Sequence, residues 1–234
     1  MSIFETSIWR AIKKNRILYL IIHNTVGKVI GRFHLKKRIH AVSKEGITSI
    51  LDIDNALSST GCIFYLDFGT LLGITRDGNL LKWDYDLDYG IHITEQFNWI
   101  DLENCLNSIG FTLVKYFQYA GVTTEQTYKR NNIYVDFFNH FSDGENSYYY
   151  VYYHKKNKHY DDDNQLNVRK TTTHLIEGND YLESNGYAFR IPCNHQYYLE
   201  EIYGKDWMIP NESWTPDNMN NIEYLPGLGI LTII

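Results

Sequence analysis

The sequence predicts an α+β fold, a mixed sheet flanked by helices, with a helical extension at its N-terminus. Three observations carry this prediction. Segments with helical spacing at 46–59, 101–108 and 196–203 are interleaved with short runs of strand character at 62–66, 111–114, 133–138, 148–153 and 187–191. A chain of 234 residues is long enough to bury a substantial core as one large domain. The basic residues are concentrated at one end: residues 1–44 carry a net charge of +9 and the remainder −15. The division drawn from these is an extension over 1–44 and a main domain over 45–234.

Residues 3–42 place Ile8 with Ile12, then Val26, Val29, Ile30 and Phe33, then Ile39 and Val42 at helical intervals. Gly27 and Gly31 weaken the middle, which predicts two helices with a break. A basic amphipathic segment can rest on an anionic membrane surface, or it can pack on its own domain with its Lys and Arg solvated. Nucleic acid is not expected, because no alternation of aromatic and basic residues supports it. From 46 to 59, Ile47, Ile50, Leu51 and Leu57 make a clearer helix, closed by Gly61.

The run 62–66 (CIFYL) reads as a buried strand. Gly69 and Thr70 break it, and a short helix starts at Leu71. Glycine there lets backbone approach a ligand, and a helix N-terminus offers N–H groups to phosphate. Arg76 lies two turns on, within reach of such a phosphate. From Leu87 the apolar residues alternate as Leu87, Tyr89, Ile91 and Ile93, leaving Asp86 and Asp88 on the other parity. Residues two apart in a strand share a face, so these carboxylates project side by side. They repel unless a positive charge lies between them, and a hard divalent cation prefers such oxygen ligands. In 133–138 (IYVDFF) a lone acid, Asp136, sits in an apolar strand and makes a third candidate ligand; a strand-end Asp turned to solvent is the alternative.

Beyond it, 148–153 is a tyrosine-rich strand and 155–163 a charged loop, in which 161–163 (DDD) reads as exposed. Residues 196–203 form a helix stopped by Gly204. Residues 206–234 read as loop, with an apolar tail over 228–234. Twenty Tyr against four Pro suit packed strands and polyol-binding surfaces. Three scattered cysteines imply a reducing compartment without a disulfide framework. No apolar run reaches the length of a membrane span, and no signal peptide is convincing. The expectation is a cytoplasmic protein whose extension is available for peripheral contact at the inner membrane face.

Two other uses of the carboxylates compete. Counted from Asp84, acids fall at the first, third, fifth and twelfth positions of a calcium loop, but Tyr89 occupies the place where the sharp turn needs glycine. Asp-x-Asp also holds metal-bound nucleotide sugars in glycosyltransferases. What separates the present pattern is order: Gly69-Thr70, fifteen residues, Asp86 and Asp88, then a distant strand acid. That sequence of features is the pattern of the nucleotidyltransferase fold.

The stretches 69–76 (GTLLGITR) and 83–90 (WDYDLDYG) resemble the LicD and fukutin group of phosphotransferases, in the form found in fukutin-related proteins. Residues 135–138 (VDFF) and 192–210, with YLEEIYGKDW at 198–207, agree with it. Phe68 stands where a glycine is common, Lys82 where a proline is usual, and Tyr85 where the LicD form has an acid. The resemblance implies transfer of a phospho-alcohol (phosphocholine, ribitol phosphate or glycerol phosphate) from a CDP-linked donor to a sugar hydroxyl, with CMP released. It further implies Mg²⁺ or Mn²⁺ on Asp86, Asp88 and Asp136, which also do the catalysis, with Gly69, Thr70 and Arg76 at the donor phosphates. Asp84 matches a further family acid, either a second metal ligand or a tether for the Trp83 loop; Trp83 itself is a candidate for stacking on cytosine. The acceptor would be a glycan or lipid-linked oligosaccharide. A nucleotidyltransferase that adds a nucleotide and releases pyrophosphate, and a non-catalytic binding module, stay open beside it.

Overall fold

The computed structural model describes residues 16–155, 160, 162–211, 213–219 and 221–234, with side chains of the first helix described from residue 31. The spacing of Ile8 and Ile12, the side chains of Val26 and Val29, and Asp161 of the acidic run lie outside the described residues. The architecture is mixed α+β, as expected: one large sheet flanked by helices.

Helix α1 (Arg16–Ser58) is continuous where two helices with a break were expected. It passes through Gly31 and Gly46, and the expected division at residue 44 falls inside it. One glycine costs a helix about 1 kcal/mol, which tertiary packing overrides. Val42, Ser49, Ile50, Ile53 and Leu57 form a buried stripe along it. Gly46 lies in that stripe, where a Cβ would stand 2.4 Å from a terminal methyl of Leu80 and would have to displace it. Residues 31–37 are exposed. The extension is therefore continuous with the body, and a cut at residue 44 would remove buried Val42 together with the contacts of Arg38. Deletion of 1–44 is expected to lower the melting temperature by about 5 °C or more, since losing one buried aliphatic side chain costs about 2 kcal/mol.

The rest of the chain runs β1 (Phe64–Leu66), α2 (Phe68–Asp77), β2 (Leu87–Ile91), α3 (Trp99–Ser108), β3 (Thr112–Tyr119), β4 (Val122–Arg130), β5 (Ile133–Asn139), β6 (Phe141–Ser142), β7 (Asn146–Tyr153), β8 (Gln165–His174), β9 (Asn179–Ser184), β10 (Tyr187–Pro192), α4 (His195–Tyr203) and β11 (Ile222–Ile233). Nine strands form one sheet in the order β1-β2-β5-β4-β3-β11-β8-β7-β6, and β9 and β10 make a separate hairpin. The pairing of β2 with β5 is parallel, and its register sets Asp88 beside Asp136. This strand pairing also disposes of the calcium loop, whose ligands would have to lie on a turn. The sheet bends back on itself, so that β7 approaches β5 and Tyr149 of β7 packs edge-on against Phe68 at the start of α2, with ring centres 5.0 Å apart.

The apolar tail over 228–234 is not loop but the end of β11, which bridges β3 and β8. Pro226 and Gly227 sit where its register with β8 shifts, Gly227 at φ +85°, and this bulge is what makes the sequence read as a loop. The core lies between α1, α3 and one face of β1, β2 and β5, with Phe64, Leu66, Tyr89, Ile91, Val135 and Phe137 fully enclosed.

Candidate active site

The junction of β1 and α2 is built on Asp67. It caps α2, its Oδ1 accepting from the Phe68 N–H at 2.8 Å and from the Tyr198 hydroxyl at 2.6 Å. Its Oδ2 lies 2.8 Å from Nε2 of His140, which is wholly buried and stacked on Tyr149. Phe68 follows at φ +40°, in the region that favours glycine. That explains why glycine is the common residue there in the group this segment resembles. The Phe68 ring is held edge-on by Phe138 at 4.9 Å and by Tyr149.

Gly69 and Thr70 fall in the first turn of α2 rather than in a loop before it. Gly69 faces the site: a Cβ on it would stand 3.4 Å from both carboxylate oxygens of Asp84. Thr70 does not. It is buried, and its Oγ1 accepts from the Asp88 N–H at 2.9 Å, locking the carboxylate strand to α2. This bond takes the hydroxyl and leaves the backbone N–H in the first turn of α2, where the donor phosphates are expected.

Asp84, Asp86, Asp88 and Asp136 line one cleft of about 1080 Å³, together with Gly69, Arg76 and Trp83. Asp86 precedes β2 and Asp88 is its second residue. Burial lifts the Asp88 carboxyl well above the usual carboxylate range, and the charges of Asp86 and Asp136 add to it. Burial and then Asp136 raise Asp86 to about 7, against the pull of Arg38. Burial raises Asp136 as well, opposed by Lys115 and by the Thr127 hydroxyl, which donates to its Oδ1. Asp84 is raised to about 6 by burial, and its Oδ2 has no hydrogen-bond partner in the protein. Glu125, also buried and two residues from Thr127 on the same face of β4, is held well above its normal range by burial and by Asp136.

This donor set, all oxygen and short of positive charge, has the chemistry of a divalent-cation site. Its geometry is looser than a finished cage: among the described residues no three His, Cys, Asp or Glu side chains are arranged to ligate one ion. Two of the carboxylates are engaged elsewhere. Thr127 holds Asp136, and Asp86 Oδ2 lies 3.3 Å from Nη2 of Arg38. Arg38 comes from α1, donates to the Tyr85 carbonyl at 3.0 Å and stacks on Tyr134 with its guanidinium 4.0 Å from the ring centre. Nothing in the sequence marks it out among the ten basic residues of the first 44.

Arg76 lines the cleft, but its guanidinium makes two 2.8 Å bonds to Asp77. Trp83 is 55% exposed at the mouth, free to present its face to a ring. The rest of the lining comes from regions that sequence reasoning left without a role: Val151 of β7, Arg169 of β8, and Tyr203, Trp207 and Trp214 from α4 and the segment after it. Tyr203 and Trp214 pack with ring centres 4.5 Å apart. Trp and Tyr in the stretch 203–214 were the available signal, since such rings suit sugar faces.

The LicD/FKTN/FKRP nucleotidyltransferase domain matches residues 61–194. Ribitol 5-phosphate transferase FKRP of Mus musculus and that of Homo sapiens are each 40% identical to this chain over 42 residues, 18% of this chain. That stretch spans 8% of the length of either relative. Among solved structures, the antibiotic-resistance factor ANT(2'')-Ia is similar with a TM-score of 0.42 and 14% identity, over 74% of this chain and 78% of that one. The same factor in complex with adenylyl-2''-tobramycin gives 0.40 and 14%, over 74% and 83%. No described helix is long and apolar enough to cross a membrane.

Proposed function

The chain belongs to the LicD/FKTN/FKRP nucleotidyltransferase-domain family, and from that premise we propose that it transfers a phospho-alcohol from a CDP-linked donor to a sugar hydroxyl of a glycan, releasing CMP. The observation that carries this reading is the gathering of Asp84, Asp86, Asp88 and Asp136 with Gly69 and Arg76 in one cleft. Asp86, Asp88 and Asp136 would hold Mg²⁺ or Mn²⁺, and such an ion neutralises charge on the oxygens of a diphosphate. Gly69, lacking a side chain, leaves room for the donor phosphates at the start of α2, where backbone N–H groups favour an anion. Arg76 adds a charged donor at the same wall, and Trp83 stacks on the cytosine.

The sugar hydroxyl attacks the phosphorus bearing the alcohol. The new O–P bond forms as the bond to the CMP oxygen breaks, and Asp136 accepts the hydroxyl proton. Trp207 and Trp214 line the side from which the sugar enters.

A screen of CDP-choline, CDP-ribitol and CDP-glycerol with Mn²⁺ tests the donor. The matching donor should raise the melting temperature by several degrees, because a ligand at a hundred times its Kd adds about 2.7 kcal/mol. Incubated with glycan acceptor, the protein should yield CMP and a phospho-alcohol adduct in equal amounts by mass spectrometry. A nucleotide adduct with pyrophosphate would overturn the reading.

The glycan could be lipid-linked at the cytoplasmic face of a membrane, and exposed Arg32, Lys36 and Lys37 on α1 would then meet anionic headgroups. Each basic residue near such a surface contributes about 1 kcal/mol. Changing all three to Glu is expected to weaken cosedimentation with phosphatidylserine vesicles about tenfold or more. Equal binding by the variant and the parent would reduce this part of α1 to a structural role.

A further inference from the structure

Among the described residues, one cation touches the carboxylates of the cleft, and it comes from outside the stretch 61–194 that matches the family. Arg38 stands on α1, one turn before the buried Val42, and does not itself line the cleft. Its Nη2 lies 3.3 Å from Asp86 Oδ2, the two side chains being 26% and 20% exposed. Lys115 of β3 also acts on Asp86 and Asp136, but from a distance. Its ammonium sits 4.9 Å from the centre of the Phe117 ring and makes no ion pair among the described residues.

The contacts of Arg38 differ in how firmly they hold it. Its guanidinium lies 4.0 Å from the ring centre of Tyr134 and 4.8 Å from that of Tyr85. Its Nε donates to the Tyr85 carbonyl at 3.0 Å. Tyr134 shares a face of β5 with Asp136, two positions on. The bond to Asp86 is the loosest of the set, since charge-assisted N–H···O bonds run to about 2.7–2.9 Å. Asp86 can therefore leave the guanidinium while Tyr134, Tyr85 and the helix keep it in place. A divalent ion on Asp86 would compete with Arg38 for the same carboxylate, and a fixed positive charge this near repels the ion. With no ion bound, that same charge offsets part of the repulsion among the carboxylates, opposing the rise in proton affinity of both Asp86 and Asp136.

We propose that Arg38 is a positioning residue that serves as the stand-in cation of the carboxylate site: it holds Asp86 until a divalent ion takes the carboxylate, and it sets how tightly that ion is held. This rests on the reading of Asp86, Asp88 and Asp136 as a divalent-ion site. Arg38 keeps its contacts with Tyr85 and Tyr134 throughout, so the loop that carries Trp83 and Asp84 stays tied to α1 when the site is filled. The first helix is then part of the catalytic unit, although the family match begins after it.

The test is isothermal titration of Mn²⁺, without nucleotide, into the full chain, Arg38→Met and Arg38→Lys. Methionine keeps an apolar stem against Tyr134 and drops the charge; lysine keeps the charge. Arg38→Met is expected to bind Mn²⁺ about threefold more tightly or better, and Arg38→Lys to stay within about twofold of the parent. The melting temperature of metal-free Arg38→Met should fall below that of the parent, and saturating Mn²⁺ should close the gap. A residue that only packs α1 on the sheet would lower the metal-free and Mn²⁺-loaded melting temperatures alike, and that result overturns the proposal. Equal or weaker Mn²⁺ binding by Arg38→Met overturns it too, with the divalent-ion reading of the carboxylates left standing. No Mn²⁺ binding by any of the three proteins removes that reading and the proposal with it. Should Arg38→Met not fold, Arg38→Gln decides: it retains a donor for the Tyr85 carbonyl without the charge, so it too should bind Mn²⁺ more tightly, and equal or weaker binding refutes the role.

Discussion

Replacing Asp88 with Asn is expected to abolish transfer while making the metal-free protein harder to unfold. Asp88 is half-buried among Asp86, Asp136 and Asp84, and each of these charges opposes its ionisation. As a ligand for a divalent ion it would be worth several kcal/mol of transition-state stabilisation, so its loss should lower CMP release by about a thousandfold or more. As an uncompensated carboxylate it opposes folding, so the neutral Asn should raise the melting temperature of the metal-free protein at pH 7 by about 2 °C or more. Addition of Mn²⁺ should then stabilise the parent and leave Asp88→Asn almost unmoved. Unimpaired turnover in Asp88→Asn would remove the carboxylate strand from the mechanism.

The same cluster sets the pH dependence. A carboxyl whose proton affinity is higher in the folded state than in the unfolded one makes the folded protein hold more protons, and stability then falls as pH rises. The window runs from the normal carboxylate range near 4, where the unfolded chain ionises, up through the folded value of about 7 for Asp86. Below this window the contribution is fully present; above it the contribution is lost. Metal-free protein should therefore melt at a higher temperature at pH 5 than at pH 8, and saturating Mn²⁺ should shrink or reverse the difference.

How much of this could be read from the chain depends on how local each cause is. The alternation from Leu87 to Ile93 fixes the face of Asp86 and Asp88, because strand period is a property of neighbouring residues. The strand at 133–138 is equally legible, and its parallel register then brings Asp136 beside Asp88. The hydrogen bond of the Thr70 hydroxyl was not legible, since nothing within a few residues shows that it meets a backbone N–H eighteen positions on. Arg38 meets Asp86 across forty-eight residues, and Arg169 meets Asp217 across the same span, so both depend on the finished tertiary structure. In β11, Pro226 and two glycines obscure a strand: Gly229 is there because a Cβ would lie 2.2 Å from the Tyr152 ring, a constraint imposed by another strand.

Asp67 shows most clearly how far the site depends on a residue that carries no chemistry of its own. The sequence presents it as one acid between a strand and a glycine, and the structure makes it the tie between α2, α4 and the end of β5. Asp67→Ala would leave the Tyr198 hydroxyl and the His140 ring nitrogen buried without their acceptor. Breaking a buried, hydrogen-bonded acid in this way costs about 3–5 kcal/mol. For a chain of this size that lowers the melting temperature by roughly 10 °C, which urea denaturation should reproduce as a shifted midpoint at unchanged slope. Asp67→Asn keeps the shape and one acceptor oxygen, so its loss should be less than half as large. The first turn of α2 should suffer before the rest of the fold. It is there that Gly69 faces Asp84 and Thr70 holds Asp88. In Asp67→Asn, donor affinity should therefore fall further than stability accounts for, and an unchanged affinity for the donor would confine Asp67 to the core.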